Sequence, residues 1–221
     1  MPFNGCEGKS PSGVQWWLTF PQHTGSQTIV DYVFYRMGVE TCRHSHSIRD
    51  LWCNDLVQPY HGVFVRSPYQ RLISAAAHAS IIDMEAFVTA RANSSATVAS
   101  FRMWLSKDAE NNFPSMNVIS DMLNRSCRAP DFGGHTTSLK YDLHKFLTNV
   151  GYSIVYKNMS LHSHCLSGCT ADERNARRHL RWFGADDERR VQKWFADDFL
   201  RFNFSTRASD TWSHLSSDVR F

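Results

Sequence analysis

Short apolar runs alternate with amphipathic stretches along this chain. Residues 14–20 form a buried-strand pattern that Pro21 ends, followed by a short polar loop over 22–26. Residues 27–37 repeat with helical period, placing Ile29, Val30, Val33 and Phe34 on one stripe, and Gly38 fits a helix stop. A second strand is expected over 39–46 and a third over 61–65, which Arg66 and Pro68 close. A helix should follow over 69–82. Residues 85–123 read as mostly helical, with Phe101, Trp104 and Leu105 as core candidates. Residues 127–138, with Pro130, Gly133 and Gly134, read as a loop. An amphipathic helix is expected over 141–150, a strand over 152–156 and two basic helices over 172–183 and 187–204. Strands alternating with helices predict an α/β protein with a parallel sheet covered on both faces. No linker interrupts the pattern. One domain is therefore expected over 14–205, between a flexible N-terminal segment (1–13) and a C-terminal tail (206–221).

Composition narrows the class. The 221 residues are 42% hydrophobic and 20% charged, which excludes wholesale disorder. The net charge of +3 is too balanced for a general nucleic-acid coat, so no nucleic-acid partner is expected, while a local site for a small anion fits. No window approaches the ~18 apolar residues of a membrane span, and the N-terminus lacks the apolar run of a secretory signal. Membrane association would therefore need an anchor that this sequence lacks. Against that stand sequons at Asn93, Asn124, Asn158 and Asn203, and six cysteines whose pairing the sequence leaves open. They favour a secretory lumen, with six buried thiols in the cytoplasm as the alternative. His162, His164, Cys165 and Cys169 do not match zinc-finger spacing, so a local disulfide or unpaired loop residues are the better expectation there and no metal is expected. Arg174, Arg177, Arg178 and Arg181 follow helical spacing, as a solvated face or a surface for an anionic glycan.

Three segments could carry chemistry. Gly8-Lys9-Ser10 ends like a phosphate-binding loop, but Phe3 stands where the first glycine belongs. The loop Gln22-His23-Thr24-Gly25-Ser26-Gln27-Thr28 joins an expected strand to an expected helix. Its backbone N–H groups and hydroxyls suit an anion, and an ordinary strand-to-helix turn explains it equally well. The most informative string is Val63-Phe64-Val65-Arg66-Ser67-Pro68-Tyr69-Gln70-Arg71-Leu72-Ile73-Ser74. A strand delivers Arg66 to its end, Pro68 starts a helix, and Ser74 lies two turns along it. A guanidinium fork with a hydroxyl suits a phosphate dianion.

This string resembles the 3′-phosphate-binding signature of sulfotransferases, an apolar strand followed by Arg-x-Pro-x-x-Arg-Leu-x-Ser. The loop at 22–28 is similar to the family's 5′-phosphosulfate loop, above all in membrane-bound carbohydrate sulfotransferases. Asn117 to Leu123 resembles a downstream Asn-x-x-Thr-x-Met-Leu string, and residues 194–204, with Asp198-Phe199, resemble the family's last helix. The resemblance implies a P-loop-like three-layer domain. It also implies a co-substrate, 3′-phosphoadenosine-5′-phosphosulfate (PAPS), and transfer of its sulfuryl group to a carbohydrate hydroxyl in the Golgi lumen without a metal. Gln22 to Thr28 would hold the phosphosulfate, and Arg66 and Ser74 the 3′-phosphate. His23 stands where the family's loop has a lysine. His44-Ser45-His46 puts both imidazoles on one strand face. Similar His-x-His strings in uronyl-type members make His46 the expected base and His44 its support, with a pair of surface histidines as the alternative. A relative that binds nucleotide or glycan with weakened catalysis is the alternative function.

Overall fold

The computed structural model describes residues 4–21, 42–43, 59–79, 81, 95–111, 116, 118–124, 129–153 and 180–211. They make an α/β fold with a mixed sheet and six α-helices, divided into two compact units. The first unit takes its described residues from 1–66 and 122–162, the second from 67–121 and 163–216.

The first unit holds the sheet, in the order β3-β1-β2-β4-β5. Its strands are β1 (Asn4–Lys9), β2 (Gln15–Phe20), β3 (Cys42–Arg43, a two-residue edge segment), β4 (Tyr60–Val65) and β5 (Phe132–His135). β2, β4 and β5 are parallel neighbours, as the alternating pattern predicts. The expectation of a wholly parallel sheet needs correction, because β1 runs antiparallel to both β2 and β3. The cause is local. Ser10 to Val14 make a tight connection in which the Ser10 N–H donates to Val14 O and the Gly13 N–H to Ser10 O, both at 2.9 Å. So short a link joins only antiparallel strands. Residues expected to be a flexible N-terminal segment therefore form a strand.

A second correction concerns β5, which occupies residues read as a loop. Its sequence, Phe-Gly-Gly-His, has little strand propensity of its own, and tertiary packing explains it. A Cβ on Gly134 would lie 2.6 Å from the Phe64 ring, and one on Gly62 in β4 would lie 2.5 Å from Phe146. Glycine in a strand marks such close approaches. The sheet face so formed carries Trp16, Leu18, Phe20, Phe64 and Phe132. It packs with Leu143, Phe146 and Leu147 of an amphipathic helix, here α4 (Leu139–Asn149), expected over 141–150, and with Val150 just after it. Trp16 meets Phe146 edge-on at 5.8 Å and donates its indole N–H to the Tyr152 hydroxyl. Tyr152 and Ser153 lie outside any strand, and residues 154–156 of the strand expected there lie outside the described residues.

The second unit is helical among its described residues. α1 (Pro68–His78) is followed by α2 (Ser95–Glu110), the first turn of α3 (Ile119–Asn124), α5 (Ala185–Trp194) and α6 (Ala196–Arg201). The helix expected over 187–204 is thus two helices that meet at Phe195. Tyr69, Phe101, Phe183 and Phe199 pack ring against ring, with centroids 4.9 to 5.4 Å apart. The start of the expected tail is packed as well: the Ala208 N–H donates to Glu188 Oε1 at 2.9 Å, and Ala208 is buried. The helix over 27–37, most of the strand over 39–46 and most of the helix over 172–183 fall outside the described residues.

Cys6 is disulfide-bonded, and the register sets Cys42 directly opposite it. Directly opposed Cα atoms lie about 4.5–5.5 Å apart, within the span of a disulfide. Non-reducing tryptic mapping should therefore join peptide 1–9 to peptide 37–43. Cys6 linked to any other cysteine would refute that pairing.

Candidate functional site

β4 is apolar because it is buried on both faces, with every residue from His61 to Val65 buried. The chain emerges from its carboxyl end at Arg66, which is partly exposed. In open α/β sheets ligands bind beyond the carboxyl ends of parallel strands. Here that edge consists of Pro21 after β2, Arg66 after β4 and His135 at the end of β5, paired in register with Val65. His61 lies near the opposite, amino end of β4. Its Nε2 is 3.0 Å from Thr19 Oγ1 and its backbone N–H donates to Asp131 Oδ2 at 2.8 Å.

His135 is a residue that the sequence reading missed, since the Gly-Gly pair before it looked like a loop. The strand forms because β5 pairs with β4, far upstream in the sequence, and that pairing leaves no local signal. Burial holds its imidazole pKa below the ordinary value, against the opposing pull of Asp142. Asp142 Oδ2 also accepts the His135 backbone N–H at 2.8 Å and the Ser138 hydroxyl. Asp142 thus satisfies two donors of the turn from β5 into α4, while Thr137 Oγ1 in the same turn is buried without a partner.

Among the described residues, Ser74 sits on α1, partly exposed. The expected contacts Gln22, His23, Thr24, Gly25, Ser26, Gln27 and Thr28, and the expected bases His44 and His46, lie outside the described residues. No cluster of three metal-ligating side chains occurs among the described residues.

Arg71, which the sequence string puts beside Ser74, is placed in a structural clamp. Its guanidinium is 1% exposed and Nη1 stands 3.5 Å from Asp198 Oδ2 on α6. The same carboxylate accepts the backbone N–H of Ile119 at 3.0 Å and of Ser120 at 2.6 Å. It therefore caps the first turn of α3 from a distant part of the chain, meeting donors that no helical carbonyl can reach. Burial lowers the Arg71 pKa to about 10 while Asp198 opposes the shift. Burial likewise raises the Asp198 pKa, opposed by Arg71 and the two amide donors. The charges are thus held by each other and by hydrogen bonds rather than by water.

Two buried donors at the start of α1 remain. Ser67 is 2% exposed and Gln70 5% exposed, and neither Ser67 Oγ nor Gln70 Nε2 has a hydrogen-bond partner.

Comparisons with known proteins return no match: no family model, no curated protein and no solved structure aligns significantly with the chain.

Two measurements follow. Asp198→Ala removes both the counter-ion of a buried guanidinium and the acceptor of two amides, so it should cost about 3–5 kcal/mol in urea unfolding. Arg71→Met leaves the carboxylate its two amide donors and should cost less; the reverse order would contradict the clamp. For His135, the folded imidazole resists the proton that the unfolded one takes up. Stability should therefore be full above the ordinary histidine value of about 6.5 and decline as pH falls through it. His135→Gln should flatten that decline in denaturation midpoints recorded between pH 7.5 and 5, chosen to span about one unit or more either side of that value.

Proposed function

We propose that this protein is a sulfotransferase that moves the sulfuryl group of PAPS onto a hydroxyl of a carbohydrate acceptor. The observation that carries the reading is the junction at residues 65–68. β4 ends at Val65, Arg66 follows at the carboxyl edge of the parallel strands, and α1 begins at Pro68 with Ser74 partly exposed two turns along it. That order agrees with the strand-Arg-x-Pro-helix-Ser string on which the resemblance rests. Parallel strands β2, β4 and β5, with Gln22 to Thr28 following β2, support the same reading. Its finer form is a P-loop-like three-layer domain.

In this reading Arg66 and Ser74 bind the 3′-phosphate, the guanidinium by charge-assisted hydrogen bonds and the hydroxyl as a further donor. Gln22 to Thr28 surround the 5′-phosphosulfate. The acceptor oxygen attacks sulfur in line, the bond from sulfur to the bridging oxygen breaks, and the 5′-phosphate leaves. His46 takes the acceptor proton, with His44 supporting it. His23 donates to the bridging oxygen as negative charge develops there. No metal takes part. Sequons and cysteines favour a secretory lumen as the place of action, with the cytoplasm as the alternative. The substitution of His23 for lysine favours a second reading, a relative that binds the nucleotide or a glycan with weakened transfer, because a neutral imidazole is the poorer donor.

The test is calorimetry with 3′-phosphoadenosine-5′-phosphate, followed by transfer from labelled PAPS to a glycan panel. Arg66→Ala should weaken nucleotide binding about tenfold or more, the loss expected for a charge-assisted contact. Unchanged affinity in the folded variant would defeat the assignment. Binding without transfer would favour the second reading. His23→Lys should raise turnover and remove the loss of rate on the alkaline side.

A further inference from the structure

The first turn of α1 collects hydrogen-bond donors that the protein leaves unused. Ser67 stands at the position before the helix, where a serine hydroxyl ordinarily caps a first-turn amide. Here its carbonyl accepts the Arg71 N–H at 3.0 Å, as the start of a helix requires, but its hydroxyl bonds to nothing although the residue is buried. Gln70, three residues on, could reach back to close a capping box. Its buried amide nitrogen also bonds to nothing. Helical spacing puts Ser67 and Gln70 on the same side of the turn. The Tyr69 and Gln70 amides have no carbonyl within the helix to accept them, and Pro68 has no N–H at all. The first turn carries no acidic residue. The nearby Asp198 is occupied by Arg71 and two amides.

The turn from β5 into α4 shows the contrasting case. There Asp142 accepts a backbone N–H and a serine hydroxyl, so the protein supplies its own anion. At α1 it supplies none. Burying unpaired polar groups costs free energy, and the cost is removed when a ligand meets them. The vacant partners are donors, and the helix dipole favours negative charge at this end.

We infer that the N-terminus of α1 is an oxyanion site in which Ser67 Oγ, Gln70 Nε2 and the Tyr69 and Gln70 amides hold one phosphate or sulfate group. The site stands on these buried donors, none of which the proposed function uses. It does not depend on the nucleotide reading.

The test is a titration of isotope-labelled protein with sodium sulfate, followed by amide chemical shifts, with sodium chloride at matched ionic strength as the control. The Tyr69 and Gln70 amides should shift and saturate with sulfate but not with chloride. Ser67→Ala and Gln70→Glu should each raise the sulfate concentration at half-saturation about tenfold. Gln70→Glu keeps the size of the side chain while replacing donors with a negative charge. Ser67→Ala should not lower the thermal midpoint in the absence of sulfate, since the hydroxyl caps nothing and its unpaired burial is a cost, and that separates ligand loss from misfolding. Repeating the titration with adenosine 3′-monophosphate identifies the source: tighter binding than sulfate means an esterified group, weaker binding a free ion. Equal responses to sulfate and chloride, or unchanged sulfate affinity in both folded variants, would overturn the site. Sulfate binding through Ser67 and Gln70 in a protein that ignores 3′-phosphoadenosine-5′-phosphate would keep the site and remove the nucleotide reading.

Discussion

The helical unit depends on one buried carboxylate. Asp198 is fully buried, and its carboxylate meets groups on helices other than its own: the Arg71 guanidinium on α1 and two amides at the start of α3. Burying a charge is expensive, and the expense becomes tolerable only when all partners arrive together. Three helices distant in sequence are therefore fixed by a condition that none can meet alone. Such a group contributes more to the uniqueness of an arrangement than to net stability, since an apolar packing of similar volume would have no single correct geometry.

The two ways this chain begins a helix after a strand differ in where the negative charge comes from. At α4 the protein places Asp142 over two of its own donors, the His135 N–H and the Ser138 hydroxyl. At α1 it places serine and glutamine, both buried, and leaves the acceptor out. A turn intended only as structure gains from the first solution, because unmet donors are a standing cost. The sulfotransferase reading and the oxyanion site converge on the same short string without resting on each other, one from sequence order and the other from unmatched hydrogen bonds.

Sequence pattern revealed the elements whose side chains are themselves apolar. β2 and β4 were visible as apolar runs, α4 as an amphipathic stretch and α1 as the helix expected after Pro68, each with bounds close to those found. β1 and β5 were not visible. Asn-Gly-Cys-Glu-Gly-Lys and Phe-Gly-Gly-His become strands because neighbouring strands and rings demand them, and neither string announces that demand. The break between α5 and α6 was hidden for the opposite reason, since the apolar stripe continues across Phe195 while the backbone hydrogen bonding does not. The position of Arg66 after β4 and of Ser74 on α1 was legible from the string. His135 was masked by its glycines, and the clamp role of Arg71 depends on a partner far away in sequence. The unpaired state of Ser67 and Gln70 is a property of burial, which spacing does not encode.

Gly62 and Phe146 share one volume. The ring occupies the space that any side chain at position 62 would fill, and Gly134 and Phe64 repeat the arrangement one strand over. Each pair thus behaves as a single variable with two addresses. A larger residue at either glycine can be accepted only when the facing aromatic shrinks in the same step, by a comparable volume. Related chains that keep this sheet should therefore exchange bulk across 62 and 146, and across 134 and 64, in opposite senses. A catalogue of such compensations would map the packing of this sheet without a single coordinate.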